Sequence, residues 1–275
     1  MRSQKDKGLA FKALHEHPGC FVMPNPWDAG SARILTGFGF EALATTSAGF
    51  AFSIGRRDGE GKLSREDVLE NARAIINVVD LPVSADLEGG FGDTPEDAAK
   101  TISEAARVGL VGGSIEDATG NKDKPLFSID EAATRIKAAV EAARSLPVPF
   151  VLTARAEGFL RGVADLNDVI KRLQAYEAAG ADVLFAPGLP DLAAVEKVCG
   201  SLKKPFNFMV GIKGKSFSKA ELEAAGVKRI SLATSLYRAA MTGLVDAARE
   251  VKEKGTFSYL DRSISTPDLN AFMKE

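Results

Sequence analysis

Two cysteines, two histidines and one tryptophan are all that 275 residues offer of these three side chains. Cys20 and Cys199 lie far apart in the chain, which argues against a disulfide framework. One opens an expected strand and the other falls in an expected helix, so neither is placed as a nucleophile. His15 and His17 both precede the first expected strand, in a helix-like segment, and read as surface residues. Ser-His and Cys-His chemistry is thereby set aside. No apolar run is long enough to span a bilayer and the N-terminus lacks a signal-peptide core, so a cytoplasmic location without a membrane partner is expected. A formal charge of −2 gives no reason to expect nucleic acid as a partner. There is no Walker loop, and the Gly89-Gly90-Phe91-Gly92 turn lacks the continuation of a dinucleotide fingerprint.

What is present is core material, 45% hydrophobic against 26% charged, cut into a regular alternation. Short apolar runs at 20–24, 42–46, 82–86, 113–116, 149–154, 182–186, 205–210 and 229–232 read as strands. Amphipathic stretches at 29–37, 64–79, 94–108, 129–146, 166–179, 192–202, 219–225 and 235–254 read as helices. Ser64 and Thr94 each stand as an N-cap before acidic first-turn residues, and Gly109, Gly180 and Gly226 sit at expected C-caps. Eight strand–helix pairs in a chain of this length predict an α/β fold, a (β/α)8 TIM-type barrel, ahead of a doubly wound open sheet. One domain over 1–275 is expected. Residues 256–275 differ in character: a polar stretch and a final helix that either packs on its own barrel or exchanges with a neighbouring subunit.

Barrel enzymes build their sites from the C-terminal strand ends. Here those ends carry Asn25, Trp27 and Asp28; Thr46, Ser47, Ala48 and Gly49; Asp86 and Glu88; Glu116 and Asp117; Arg155 and Glu157; and Asn207. Alternate strand residues share a side, so Asp86 and Glu88 are expected to converge, and converging carboxylates call for a divalent cation. Carboxylates at three ends with Arg155 opposite predict an acidic metal pocket facing an anionic substrate. Other readings stay open. Glu116-Asp117 could cap the next helix, Arg155 and Glu157 could be a bracing ion pair, Asn207 could serve backbone groups, Ser47 could be a turn hydroxyl, and Trp27 could be a packing residue.

Taken together, Asn25-Pro26-Trp27-Asp28, Thr45-Thr46-Ser47-Ala48-Gly49, Gly55-Arg56-Arg57-Asp58-Gly59, Ala85-Asp86-Leu87-Glu88-Gly89-Gly90-Phe91-Gly92, Ile115-Glu116-Asp117 and Ala154-Arg155 resemble the isocitrate lyase/phosphoenolpyruvate mutase superfamily. The resemblance runs to about Leu236. It implies a modified barrel, usually tetrameric, whose last helices are exchanged between paired subunits. It also implies one Mg2+, with Mn2+ as the alternative, bound directly by Asp86 and supported largely through water by Asp58, Glu88 and Glu116. Ser47, Ala48 and Gly49 would hold the carboxylate and carbonyl end of a 2-oxo acid, Asn207 matches a position near the pocket, and Arg155 would neutralise an enolate or the substrate carboxylate; Trp27, by its place after the first strand, is the candidate substrate platform.

The departures matter as much. Lyases of the superfamily carry a Lys-Lys-Cys-Gly-His loop after the fourth strand, where this chain has residues 117–125 without Cys or His. Mutases carry a His after the sixth strand, where this chain has Pro187. Proton transfer is then left to Glu157, Lys122 or metal-bound water, with Asp58 matching the mutases' phosphoryl acceptor. The expected function is a Mg2+-dependent lyase cleaving a C–C bond in a small 2-oxo acid or related carboxylate. A phosphonopyruvate mutase or P–C hydrolase is the enzymatic alternative, and a non-catalytic 2-oxo acid binder the alternative of another class. The partners expected are a small carboxylate and further copies of the chain, as a dimer or tetramer.

Overall fold

A computed structural model describes residues 1–59 and 61–274. The chain opens with helix α1 (Gln4–Glu16), then alternates through β1 (Phe21–Met23), α2 (Ala29–Gly37), β2 (Leu43–Ala44), α3 (Ser47–Ser53), α4 (Arg65–Ile76) and β3 (Val83–Asp86). It continues through α5 (Pro95–Arg107), β4 (Gly112–Glu116), α6 (Ile129–Arg144), β5 (Val151–Arg155), a 3-10 turn (Gly158–Leu160), α7 (Leu166–Ala178) and β6 (Val183–Phe185). The remainder is α8 (Leu192–Gly200), β7 (Phe206–Met209), α9 (Lys219–Ala224), β8 (Arg229–Ser231), α10 (Ser235–Lys254), a second 3-10 turn (Ser258–Arg262) and α11 (Thr266–Phe272).

The strands pair in parallel in the order β1-β8-β7-β6-β5-β4-β3-β2. Across the remaining gap the Ala44 N–H donates to the Pro24 carbonyl at 3.0 Å, which nearly closes the ring. Asn25 helps close it: its Nδ2 donates to the Thr45 carbonyl at 3.0 Å and its Oδ1 accepts from the Leu232 N–H at 2.8 Å. The barrel predicted from the alternation is therefore the fold, and the open sheet is excluded.

Local signals set the helices where they were expected. In α5, Thr94 and Asp97 cap reciprocally and Pro95 occupies the first position, where its missing N–H costs nothing. Ala98, Thr101, Ile102, Ala105 and Ala106 then fall on one buried face at helical spacing. Burying Ile102 completely contributes about 1.5–3 kcal/mol. Helix α3 was not anticipated. Ser47-Ala48-Gly49 is expected as a loop after the second strand, with a turn hydroxyl as one reading of Ser47, but the Thr46 side chain accepts from the Gly49 N–H and caps a short helix.

The floor of the barrel is packed with Phe21, Met23, Val111, Val151 and Val183, but toward its mouth several side chains are small. Ala44, Ser84, Ser114 and Ser231 stand where barrels usually place bulky branched residues, and a cavity of about 290 Å³ opens among them. From below, α1 plugs the barrel. A Cβ on Gly112 would lie 2.7 Å from Phe11 Cε1, and one on Gly8 would lie 2.5 Å from the Pro149 carbonyl oxygen, so both contacts need glycine.

This plug overturns one expectation. His15 is not a surface residue: it is buried between Phe11 and Phe21, edge-on to both rings at 4.8 and 5.1 Å. Four residues separate Phe11 from His15, so both lie on the helix face that meets the barrel. His17, beyond the helix, is exposed as expected.

At the other end of the chain, α11 rests on α2. Phe272 stacks on Phe38 at 5.6 Å, and Arg33 Nη1 donates to the Met273 carbonyl at 3.0 Å. The expected tail runs on to Glu275, which lies outside the described residues. Helix α10 buries only Tyr237 and exposes Leu244, Val245 and Val251. No helix among the described residues is long and apolar enough to cross a membrane.

Candidate active site

Asp86 ends β3. Its N–H donates to Thr45 Oγ1 at 3.1 Å, its Oδ1 accepts from the Glu88 N–H at 3.3 Å, and its Oδ2 accepts from Ser47 Oγ at 2.8 Å. The strand does not continue to Glu88. Leu87 is fully buried and Glu88 has a left-handed backbone (φ 49°), so a turn, not strand alternation, brings the second carboxyl near the first.

Arg155 ends β5, opposite Glu116 in the ladder register. Its Nη1 lies 3.5 Å from Glu116 Oε2 and 3.7 Å from Asp86 Oδ1, and its Nε donates to Glu157 Oε1. The guanidinium carbon sits 5.1 Å from the centre of the Phe185 ring. Arg161, just past the 3-10 turn, adds a second cation, 3.1 Å from Glu116 Oε1 and 3.4 Å from Glu157 Oε2. Carboxylates from β3, β4 and the loop after β5 therefore do gather around one largely buried guanidinium.

The electrostatics follow from this crowding. Burial, reinforced by Asp86 and Asp58, pushes the Glu88 carboxyl up to about 7. Desolvation and the nearby Asp86 raise Asp58 at the rim in the same way. Burial raises Glu116 too, with Arg155 opposing it. Arg155 is desolvated, but Glu157, Glu116 and Asp86 more than offset that, and its pKa is raised.

Asp58, Asp86 and Glu88 thus share a negative field that a divalent cation would relieve, and as hard oxygen donors they suit Mg2+ or Mn2+. Among the described residues no three His, Cys, Asp or Glu side chains form a closed metal cage.

Of the expected site residues, Ser47, Ala48, Asp58, Asp86, Arg155 and Asn207 line the cavity. Glu116 and Glu157 reach it only through Arg155. Glu88 stands outside the lining, coupled to Asp86 and Asp58 through their shared charge, and three others do not join the cavity. Lys122 is exposed in the 119–125 loop, which turns back on itself through the Ala118–Leu126 bridge and the Thr119–Lys124 contact. Trp27 packs edge-on against Tyr237 at 5.1 Å, the packing alternative. Gly49 is buried, and its N–H is already given to Thr46 Oγ1 at 3.2 Å.

Asp117 caps no helix. Its carboxylate accepts from Tyr176 Oη at 2.6 Å, the Glu157 N–H at 2.8 Å and Arg172 Nη1 at 3.2 Å, while Ser128 caps α6. Two arginines escaped the sequence reading. Arg161 follows Glu157 by four residues, an ion-pair spacing that could have marked it. Arg229 opens β8 and lines the cavity from deep within the barrel, and nothing local in the sequence marks it.

Comparison with known proteins settles the lineage. The phosphoenolpyruvate phosphomutase family matches residues 11–252. The chain belongs to that family. An oxaloacetate decarboxylase of Ectopseudomonas mendocina (strain ymp) is 29% identical over 246 residues, 88% of this chain and 83% of the relative. A Burkholderia cenocepacia J2315 protein designated a lyase/mutase is 48% identical, with a TM-score of 0.96 over 99% of this chain and 97% of the other. Oxaloacetate acetylhydrolase in complex with its product oxalate is 26% identical, with a TM-score of 0.87 over 98% of this chain and 94% of that one. The same enzyme has also been solved with the inhibitor 3,3-difluorooxaloacetate. The chain is an enzyme of the lyase/mutase type within the isocitrate lyase/phosphoenolpyruvate mutase superfamily.

Proposed function

We propose that this enzyme is a Mg2+-dependent lyase that cleaves a C–C bond in a small 2-oxo acid, with oxaloacetate as the first substrate to assay. The observation that carries the reading is the meeting of Ser47, Asp86 and Arg155 at one cavity: a hydroxyl donor, the hard oxygen ligand it bonds, and a largely buried cation. Relatives that act on oxaloacetate support the choice of substrate.

Asp86 would hold the ion directly, with Asp58 and Glu88 around it and Glu116 behind. When bound, Mg2+ acts as a Lewis acid on the substrate's oxygens. The protein's own groups do the rest. Ser47 Oγ and the first-turn N–H groups of α3 orient the carboxylate end, the latter being donors without helical partners. Gly49 is excluded from that role by its bond to Thr46. Arg155, fixed by Glu157 and Glu116, stabilises the oxyanion that develops as the bond to carbon breaks. Asp58, which lines the cavity near Asp86, delivers the proton that the enolate needs. Asp58 takes this part because Lys122 is remote and Glu157 is committed to its arginines.

The exposed apolar residues of α10 fit burial against a second copy of the chain, as the exchanged helices of the superfamily would provide. The test of function is release of a 2-oxo acid from oxaloacetate and a panel of related dicarboxylates, followed by NMR with Mg2+ and with chelator. Phosphonates in a parallel arm check P–C cleavage. Metal-dependent release from a carboxylate supports the proposal; turnover of phosphonates alone refutes it.

A further inference from the structure

The barrel interior holds one cation that the reaction described above does not use. Arg229 is buried, and among the described residues it forms no ion pair. Its guanidinium is held by three neutral acceptors: Nε to Asn207 Oδ1 at 2.8 Å, Nη2 to Thr153 Oγ1 at 3.0 Å, and Nη1 to His15 Nε2 at 3.3 Å. Burial pushes its pKa down to about 9. A charge kept in the core without a counter-ion stabilises nothing by itself, and an apolar side chain of like volume would fill the space at less cost. What a guanidinium supplies, and an apolar group does not, is a rigid set of donors.

That set decides how Asn207 stands. A guanidinium can only donate, so the amide must turn its oxygen to Arg229 and its NH2 the other way. The NH2 donates to Ser231 Oγ at 3.1 Å, and both Asn207 and Ser231 line the cavity. The Phe11 carbonyl can only accept, so His15 Nδ1 at 2.8 Å carries the proton and Nε2 is left bare to receive Arg229. Every link from α1 to the cavity therefore has a fixed direction: Phe11 carbonyl, His15, Arg229, Asn207, Ser231.

We propose that Arg229 is a positioning residue: anchored from below by His15, it locks the Asn207 amide with its NH2 as the donor offered to the cavity, and so makes the N-terminal helix part of the binding site. The inference rests on the 2-oxo acid reading insofar as Asn207 touches a bound carboxylate at the end of the cavity away from Asp86.

The test compares two ligands by calorimetry in the presence of Mg2+: oxalate, which is short, and 3,3-difluorooxaloacetate, which carries a second carboxylate further along. Arg229→Met and Asn207→Ala should each weaken the longer ligand about tenfold and oxalate less than about twofold. The double variant should be no worse than either single one, since both remove the same contact. Arg229→Lys, which keeps the charge and loses the fork, should behave as Arg229→Met and guards against a misfolded methionine variant. Additive losses, equal losses for both ligands, or a lowered melting temperature with unchanged affinities would overturn the proposal, the last being the signature of a merely structural arginine. A crystal structure of Arg229→Met tests the same point without a ligand. The Asn207 amide should leave its contact with Ser231 Oγ, and an unmoved amide contradicts the lock. Failure of the unaltered protein to bind either ligand would instead count against the function proposed for the site, and the amide's position would still decide the role of Arg229.

Discussion

Arg155 and Glu116 face one another across the β4–β5 ladder, with Nη1 3.5 Å from Oε2 and both side chains largely hidden from solvent. Neither would be tolerable there alone, because an unpaired buried charge is far more costly than a buried pair. Arg155→Gln should leave Glu116, Glu157 and Asp86 repelling one another without a cation. The expected loss in kcat is about 10²–10³-fold, typical of removing one oxyanion stabiliser. Steady-state kinetics on the responsive substrate checks it, and an unchanged kcat with only a raised KM would contradict the role.

His15 gives the fold a pH dependence of its own. Burial, with Arg229 adding to it, holds its pKa down to about 3, whereas the ordinary value is 6.5. Between those values the unfolded chain takes up a proton that the folded chain refuses. This contribution to stability is therefore complete above pH 6.5 and declines as pH falls toward 3, by up to about 1.4 kcal/mol per pH unit. Urea unfolding of the native chain and of His15→Gln should diverge in slope over that window. Parallel curves would show that His15 is not buried in its neutral form.

Gly112→Ala would set a methyl group 2.7 Å from Phe11 Cε1 and 3.0 Å from the Val151 carbonyl oxygen. Overpacking of this kind costs about 1–3 kcal/mol. The melting temperature should drop by several degrees, and Phe11→Leu in the same chain should recover part of it. A neutral Gly112→Ala would mean that α1 is not seated as tightly as the plug requires.

The bare apolar residues of α10 predict self-association. Light scattering should give the mass of a dimer or tetramer, and Leu244→Asp together with Val245→Asp should lower it. A native chain that remains monomeric at micromolar concentration would leave that face without the proposed cover.

Much of this architecture is written locally. The strand–helix alternation, the capping pairs at Ser64 and Thr94, and the carboxylates at β3 and β4 depend on spacings of two to four residues, and they were legible. Glu88 was found for a reason that failed, since its approach to Asp86 comes from a left-handed turn that strand alternation does not describe. His15 was misread because burial by a distant barrel floor leaves no mark on a lone histidine in a polar helix. Arg229 was invisible for the same reason: its partners His15, Thr153 and Asn207 lie 214, 76 and 22 residues away. Lys122 was offered as a proton donor from its place in the loop after β4, and the internal hydrogen bonds that turn the loop aside could not be foreseen from composition.

The decisive measurement is an anomalous difference map from crystals soaked with Mn2+ and oxalate, for the native chain and for Asp86→Ala. A single peak against the Asp86 carboxylate, with oxalate between it and Ser47 and Arg155, and no peak in the variant, is the expected result. A peak away from Asp86, or one that survives its loss, would contradict the assignment of this cavity as the metal-dependent active site.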